Sequence, residues 1–139
     1  VADPQRPTRG LLDTSVVIDL NRLDSASLPD ELAISTITLA ELAAGPHAAT
    51  DADERARRQE RLQQTEATFE PLPFDAAAAR AYGRIYAAVT VAGRMARGRR
   101  AVDMLVAAVA LASEIPLYTR NPDDFAGLTE LLEIISPVP

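Results

Sequence analysis

Apolar residues along the chain change period several times, and each change marks an element. Leu11 and Leu12 read as the visible end of a short strand, after which Val16, Val17, Leu20 and Leu23 recur at helical spacing. The switch falls on Asp13 and Thr14, with Thr14 or Ser15 as the helix cap. Leu32 to Ser35 predicts a second strand. Thr36 or Thr38 would cap the helix through Leu39, Glu41, Leu42 and Ala43, which Gly45 and Pro46 would stop. A polar helix runs from Asp51 to about Thr68. In it Arg55, Arg57, Arg58 and Arg61 alternate with Asp51, Asp53, Glu54 and Glu60, the pattern of a solvated face laced with i,i+3 and i,i+4 pairs. Phe69 to Phe74 could hold a third strand, kept short or at an edge by Pro71 and Pro73.

The clearest helix follows Asp75. Tyr82, Ile85, Tyr86 and Val89 fall at i, i+3, i+4 and i+7, a stripe to be buried in the core or against a partner, which two Tyr would suit. A further helix from Ala101 to Ser113 carries Val102, Leu105, Val106 and Val109 as its buried stripe, with Asp103 in its first turn and off that stripe. Ile115 to Thr119 predicts a fourth strand and Leu132 to Ile135 a fifth. Strands alternating with helices over crossover-length connections predict an α/β fold of three layers, α/β/α, with a short four- to five-stranded parallel sheet between helices. Ligand crevices in such sheets lie outside the carboxyl ends of the strands, so acids that follow strands should converge there. Residues 1 to 8, with Pro4 and Pro7, are expected to be a loose arm before a single domain at 9 to 139.

Composition narrows the chemistry. The 139 residues suit one domain, and 47% hydrophobic with 24% charged residues is ordinary for a globular chain. Aromatic residues are only 4% while Ala is abundant, which favours helices packed closely on a small sheet. A net charge of −6 argues against holding nucleic acid by bulk electrostatics. There is no Cys, so disulfides, thiolate metal sites and a cysteine nucleophile are excluded. All 14 basic residues are Arg. The missing Lys excludes a P-loop, and it excludes the mechanisms of receiver domains and haloacid-dehalogenase-like phosphatases, whose layouts are otherwise similar. With no run of about 18 apolar residues and no signal-peptide core, a cytoplasmic protein is expected.

Four regions place acids or amides near the predicted sheet edge: Asp13, Glu41, Asp103, and Asn121 with Asp124. Singly each has a plain explanation, such as capping or compensating a helix dipole for Asp13 and Asp103. Together they crowd like charges, and a pair at 4 Å costs on the order of 4 kcal/mol at an effective dielectric of 20. A divalent cation would remove the conflict. Oxygen ligands, with a lone His47, select Mg2+ or Mn2+ over zinc. The stretch from Gly93 to Arg100, GRMARGRR, is the one strongly one-signed run and could bind phosphate locally.

LLDTSVVIDL, TLAELAAG, AVDMLVAAVALA and LYTRNPDDF, in this order and spacing from Leu11 to Ile135, resemble the PIN domain, in particular the VapC-type toxins of bacterial toxin–antitoxin pairs. The resemblance implies a PIN-like fold and a Mg2+- or Mn2+-dependent ribonuclease with an acid quartet. Asp13, Glu41 and Asp103 match its first three positions. At the fourth, many relatives have Asp where this chain has Asn121, with Asp124 three residues later; one of these two would complete the metal shell. Thr14 or Ser15 matches a small hydroxyl residue beside the metal. Implied too are in-line attack of water on an RNA phosphodiester, leaving 5′-phosphate and 3′-hydroxyl ends, and RNA contacts by Arg97, Arg99, Arg100 and Arg120. A homodimer and a VapB-type antitoxin would follow, with Tyr82, Tyr86 and the first helix as candidate contact surfaces. Cleavage through the 2′-hydroxyl would want a general acid and base such as paired His, and the lone His47 is expected in a solvent-facing loop. A catalytically silent PIN-like module acting through protein contacts is the alternative that Asn121 keeps open. A metal-dependent phosphatase is disfavoured by the basic loop.

Overall fold

In the computed structural model, which describes residues 7–93 and 99–139, the strand that begins the chain's core is β1 (Arg9–Leu12), hydrogen-bonded along both edges. Successive side chains of a strand point to opposite faces, so Leu11 and Leu12, both fully buried, enter two different cores. On one side β1 pairs in parallel with β2 (Glu31–Ala33), on the other with β3 (Leu117–Tyr118), which pairs with β4 (Ile134–Ile135). The spatial order is β2-β1-β3-β4. The register aligns Leu11 with Ala33 and Leu117, and Leu12 with Tyr118.

Five helices cover the sheet among the described residues: α1 (Thr14–Asp19), α2 (Thr36–Ala48), α3 (Ala52–Thr68), α4 (Ala76–Val91) and α5 (Arg99–Ala112). Leu11, Ala33 and Leu117 meet α4 and α5 on one face, through Ala78, Ala81, Ile85, Val89 and the buried run Val106–Ala110. Leu12, Ile34 and Tyr118 meet α1, α2 and α3 on the other, through Val16, Val17, Leu42 and Leu62. This is the expected three-layer α/β/α architecture. Abundant Ala makes it possible: Ala107, Ala108 and Ala110 are fully buried and let α5 lie close to both α4 and the sheet.

Several local expectations are corrected. Phe69 to Phe74 does not form a strand; Leu72 makes a single parallel bridge to Ser35, donating to the Ile34 carbonyl and accepting from Thr36 N–H. Pro71 and Pro73 have no N–H to extend the ladder. The α2 cap is Ser35, whose hydroxyl accepts from Thr38 N–H at 3.1 Å, rather than Thr36 or Thr38. Gly45 and Pro46 do not end α2, which continues to Ala48. Its last carbonyls are taken up by α3 arginines instead, Arg58 donating to Gly45 O (2.9 Å) and Arg55 to Pro46 O and Ala49 O (each 3.3 Å). Cationic donors at a helix C-terminus stabilise it. His47 is therefore exposed on a helix, not in a loop. On α4 the buried stripe is Ala78, Ala81, Ile85 and Val89, while Tyr82 is half-buried and Tyr86 is 50% exposed.

The polar face of α3 is as expected. Glu54 accepts from Arg57 (2.6 Å) and Arg58 (2.9 Å), and these bonds hold its carboxyl below the ordinary range. Asp51 and Asp75 cap α3 and α4 through Glu54 N–H (2.8 Å) and Ala78 N–H (3.0 Å).

Ile85 is fully buried between α4, α5 and the sheet, whereas Val91 at the end of the same helix is 89% exposed. Ile85→Ala should cost about 2–5 kcal/mol of unfolding free energy, and Val91→Ala less than about 0.5 kcal/mol. Urea denaturation of the two variants checks the difference.

Candidate functional site

Strand order reverses at β1 and β3: the chain moves from β1 outward to β2, then crosses back to β3 and β4. Such a switch point opens a crevice at the carboxyl ends of the two central strands. Asp13 directly follows β1 and Thr119 directly follows β3, and the two loops are bonded to each other there. Asp13 N–H donates to Tyr118 O at 2.8 Å, continuing the ladder one residue past the strand.

Asp13 occupies the N-cap position of α1, yet its carboxylate makes no capping bond to the helix backbone. It is 4% exposed and accepts two hydroxyls on the same atom, Oδ2: Ser15 Oγ at 2.8 Å and Thr119 Oγ1 at 3.0 Å. Oδ1 takes no hydrogen bond from the described residues. The capping explanation therefore fails to account for this side chain. A carboxylate oxygen that takes no hydrogen bond keeps its capacity to accept from a further donor or a cation.

Glu41 reaches the same end of the sheet from α2. Its Oε1 accepts from the Thr14 hydroxyl at 2.6 Å, and Thr14 Oγ1 also lies 3.0 Å from the fully buried Thr38 hydroxyl. Glu41 is thus bonded to the residue that directly follows Asp13 in the chain.

Asp103 is buried (7% exposed), in the second turn of α5 and on its inward side. This corrects the expectation of a first-turn position off the apolar stripe. The helix begins at Arg99, and it buries more than one stripe because α4, α2 and the sheet surround it. Asn121 is exposed, and Asp124 is half-buried on the 3-10 turn Pro122–Phe125, its N–H bonded to Asn121 O at 3.0 Å. That turn packs against α5.

No group of three or more acids or imidazoles stands ready to hold a cation among the described residues. Asp13 and Glu41 each accept from hydroxyl donors instead. A hard cation remains compatible with the donor set. Mg2+ is commonly held by one or two carboxylates with water filling the other positions, and Asp13 has an oxygen, Oδ1, that takes no hydrogen bond from the described residues.

Of the basic residues expected to contact a ligand, Arg97 lies outside the described residues, as does the side chain of Arg99; Arg100 is half-buried at the start of α5. Arg120 is engaged within the fold, its guanidinium 3.5 Å from Asp19 and donating to Pro137 O at 3.2 Å. Sequence reasoning placed Thr119 in a strand and missed its contact with Asp13. The one available signal was a polar residue directly after the buried Leu117 and Tyr118.

The family model described as PIN domain matches residues 10–131. Ribonuclease VapC5 of Mycobacterium tuberculosis is 41% identical over 125 residues, covering 88% of this chain and 89% of that protein. The crystal structure of VapBC-5 from M. tuberculosis, a member of the VapBC family of toxin–antitoxin systems, superposes with a TM-score of 0.81 at 38% identity, over 96% of this chain and 100% of that one. VapBC2 from Rickettsia felis, solved bound to a promoter DNA fragment, matches at TM-score 0.70 and 22% identity over 93% of this chain and 98% of that one, a likeness of fold alone.

The Thr14–Glu41 contact is open to measurement. A double-mutant cycle of Thr14→Val and Glu41→Gln in urea should give a coupling of about 1 kcal/mol, the ordinary worth of a hydrogen bond. A coupling of zero would remove Thr14 as the link between the two acids.

Proposed function

The chain belongs to the PIN-domain family, among its VapC-type members, and from that membership we propose that it is a toxin–antitoxin endoribonuclease whose hydrolysis of RNA depends on Mg2+ or Mn2+. The observation that supports this best is the buried Asp13 carboxylate at the β1–β3 switch point, its Oδ2 held by two hydroxyls and its Oδ1 taking no hydrogen bond from the described residues. Asp13 and Asp103 are the acids we assign to holding the cation. Glu41 holds it as well or orients the attacking water, and Asp124 or Asn121 completes the shell. When bound, such a cation supplies Lewis acidity that makes water a better nucleophile and offsets charge on the phosphate oxygens.

The chain's own residues do the rest. Ser15 and Thr14 orient the two acids through the bonds described above. Arg97, Arg99 and Arg100 engage the RNA backbone, and the N-terminus of α5 brings the last two close to Asp103 in sequence. His47 is the chain's one imidazole and is exposed on α2, so no His pair serves as acid and base for cleavage through the 2′-hydroxyl. Hydrolysis by water needs no such pair.

A VapB-type antitoxin is the proposed partner, and a homodimer the proposed assembly. Ile18 on α1 (46% exposed) and Tyr86 on α4 (50% exposed) are apolar positions suited to those contacts. Ile18 also borders a groove of about 450 Å3 between α1 and α3, lined by Val17, Leu20, Arg61 and Phe69. No described helix is long and apolar enough to cross a membrane. With RNA as substrate, we place the protein in the cytoplasm, as a single domain over 9 to 139.

Incubated with structured RNA and Mn2+, the protein should cleave; EDTA should stop it. Asp13→Asn and Asp103→Asn should each lower the rate on the order of 100-fold or more, several kcal/mol of charge stabilisation being at stake. A gel showing intact RNA with wild type and Mn2+ would favour the silent module instead. Replacing Arg97, Arg99 and Arg100 with Ala should weaken RNA binding and lower the salt slope by roughly 0.7 per lost phosphate contact. An unchanged slope across a salt series removes these residues from the interface.

A further inference from the structure

We propose that Thr119 is a positioning residue: with Ser15 it pins Asp13 by Oδ2 and so presents Oδ1 to a divalent cation. This rests on the metal-dependent reading above and adds to it a residue on β3's exit loop.

The directions of the hydrogen bonds carry the inference. Thr119 is fully buried, and its hydroxyl accepts from Asn121 N–H at 3.1 Å. The Ser15 hydroxyl accepts from Arg120 N–H at 3.0 Å. A hydroxyl has one proton, and these two send theirs to Asp13 Oδ2, at 3.0 and 2.8 Å. The hydroxyls are 3.5 Å apart, too far for a bond between them to compete with the shorter contacts. Two successive backbone N–H groups of the β3 exit loop are thus relayed through two hydroxyls into one carboxylate oxygen. That oxygen has little lone-pair capacity left. Oδ1, which receives nothing from the described residues, is the atom free to bind.

Groups behind metal ligands orient them in this way, and their loss costs roughly 10–100-fold in metal affinity. The arrangement also gives residue 121 a part that its side chain does not determine. An N–H reaches Thr119 whether the residue is Asn or Asp.

The test is Mn2+ binding to the full chain without RNA, by calorimetry or by the electron-spin signal of free Mn2+. Thr119→Val keeps the shape and removes the hydroxyl; it should weaken Mn2+ binding roughly tenfold or more. Thr119→Ser should restore affinity to within about twofold of wild type by returning the same donor. Asp13→Asn should abolish binding at this site. Wild-type affinity in Thr119→Val, with binding lost in Asp13→Asn, would overturn the positioning role and leave the metal reading intact. Wild-type affinity in Asp13→Asn would overturn the metal reading itself. Thr119→Ser as weak as Thr119→Val would also count against the hydroxyl. Should Thr119→Val fail to fold by circular dichroism, Ser15→Ala takes its place, with the same weakening expected and unchanged affinity overturning the relay.

Discussion

β1 is constrained on every side, and the rest of the molecule is arranged around that constraint. Both of its edges are paired, by β2 and by β3, and both of its faces are buried, by Leu11 and Leu12. A four-residue strand so enclosed has one register available, because a slip by one residue would exchange the two cores. The residue after it is consequently fixed in space as well. Asp13 therefore emerges at the sheet's switch point, where the β3 exit loop arrives from the neighbouring strand.

What surrounds Asp13 is a set of hydroxyls rather than a set of carboxylates. Ser15 and Thr119 bond it; Thr14 bonds Glu41 and is itself in contact with the Thr38 hydroxyl. Hydroxyl donors satisfy carboxylates without bringing like charges together. Each hydroxyl also joins two loops or helices that are distant in sequence, Ser15 to Arg120 and Thr14 to Glu41. The small polar residues thus set the orientation of acids whose approximate location the sheet has already decided.

Similar logic governs the helices. α5 can sit beneath α4 and against the sheet because its inner residues are Ala at 107, 108 and 110, and that close approach is what carries Asp103 inward. α2 survives Pro46 because α3 lays Arg55 and Arg58 across its last carbonyls. In a chain with net charge −6, these arginines are committed to the fold, as Arg120 is to Asp19 and Pro137 O.

The sequence alone determined the alternation of strand and helix, the three layers, the parallel sheet and the list of acids, because these follow from apolar periodicity and from where polar residues interrupt it. It marked Asp13 through the strand-to-helix switch, and Glu41 and Asp103 through their place in helices beside that edge. Only the tertiary structure decided that Phe69 to Phe74 makes one bridge, that α2 runs past Pro46, that Tyr86 faces outward and that Asp103 faces inward. These depend on neighbours supplied from elsewhere in the chain. The same is true of Thr119: nothing local distinguishes it from any threonine at a strand end, and its significance arises from a bond to a residue 106 positions away. Periodicity reports which face of an element is buried, but hydrogen-bond direction depends on which groups meet once the faces have packed.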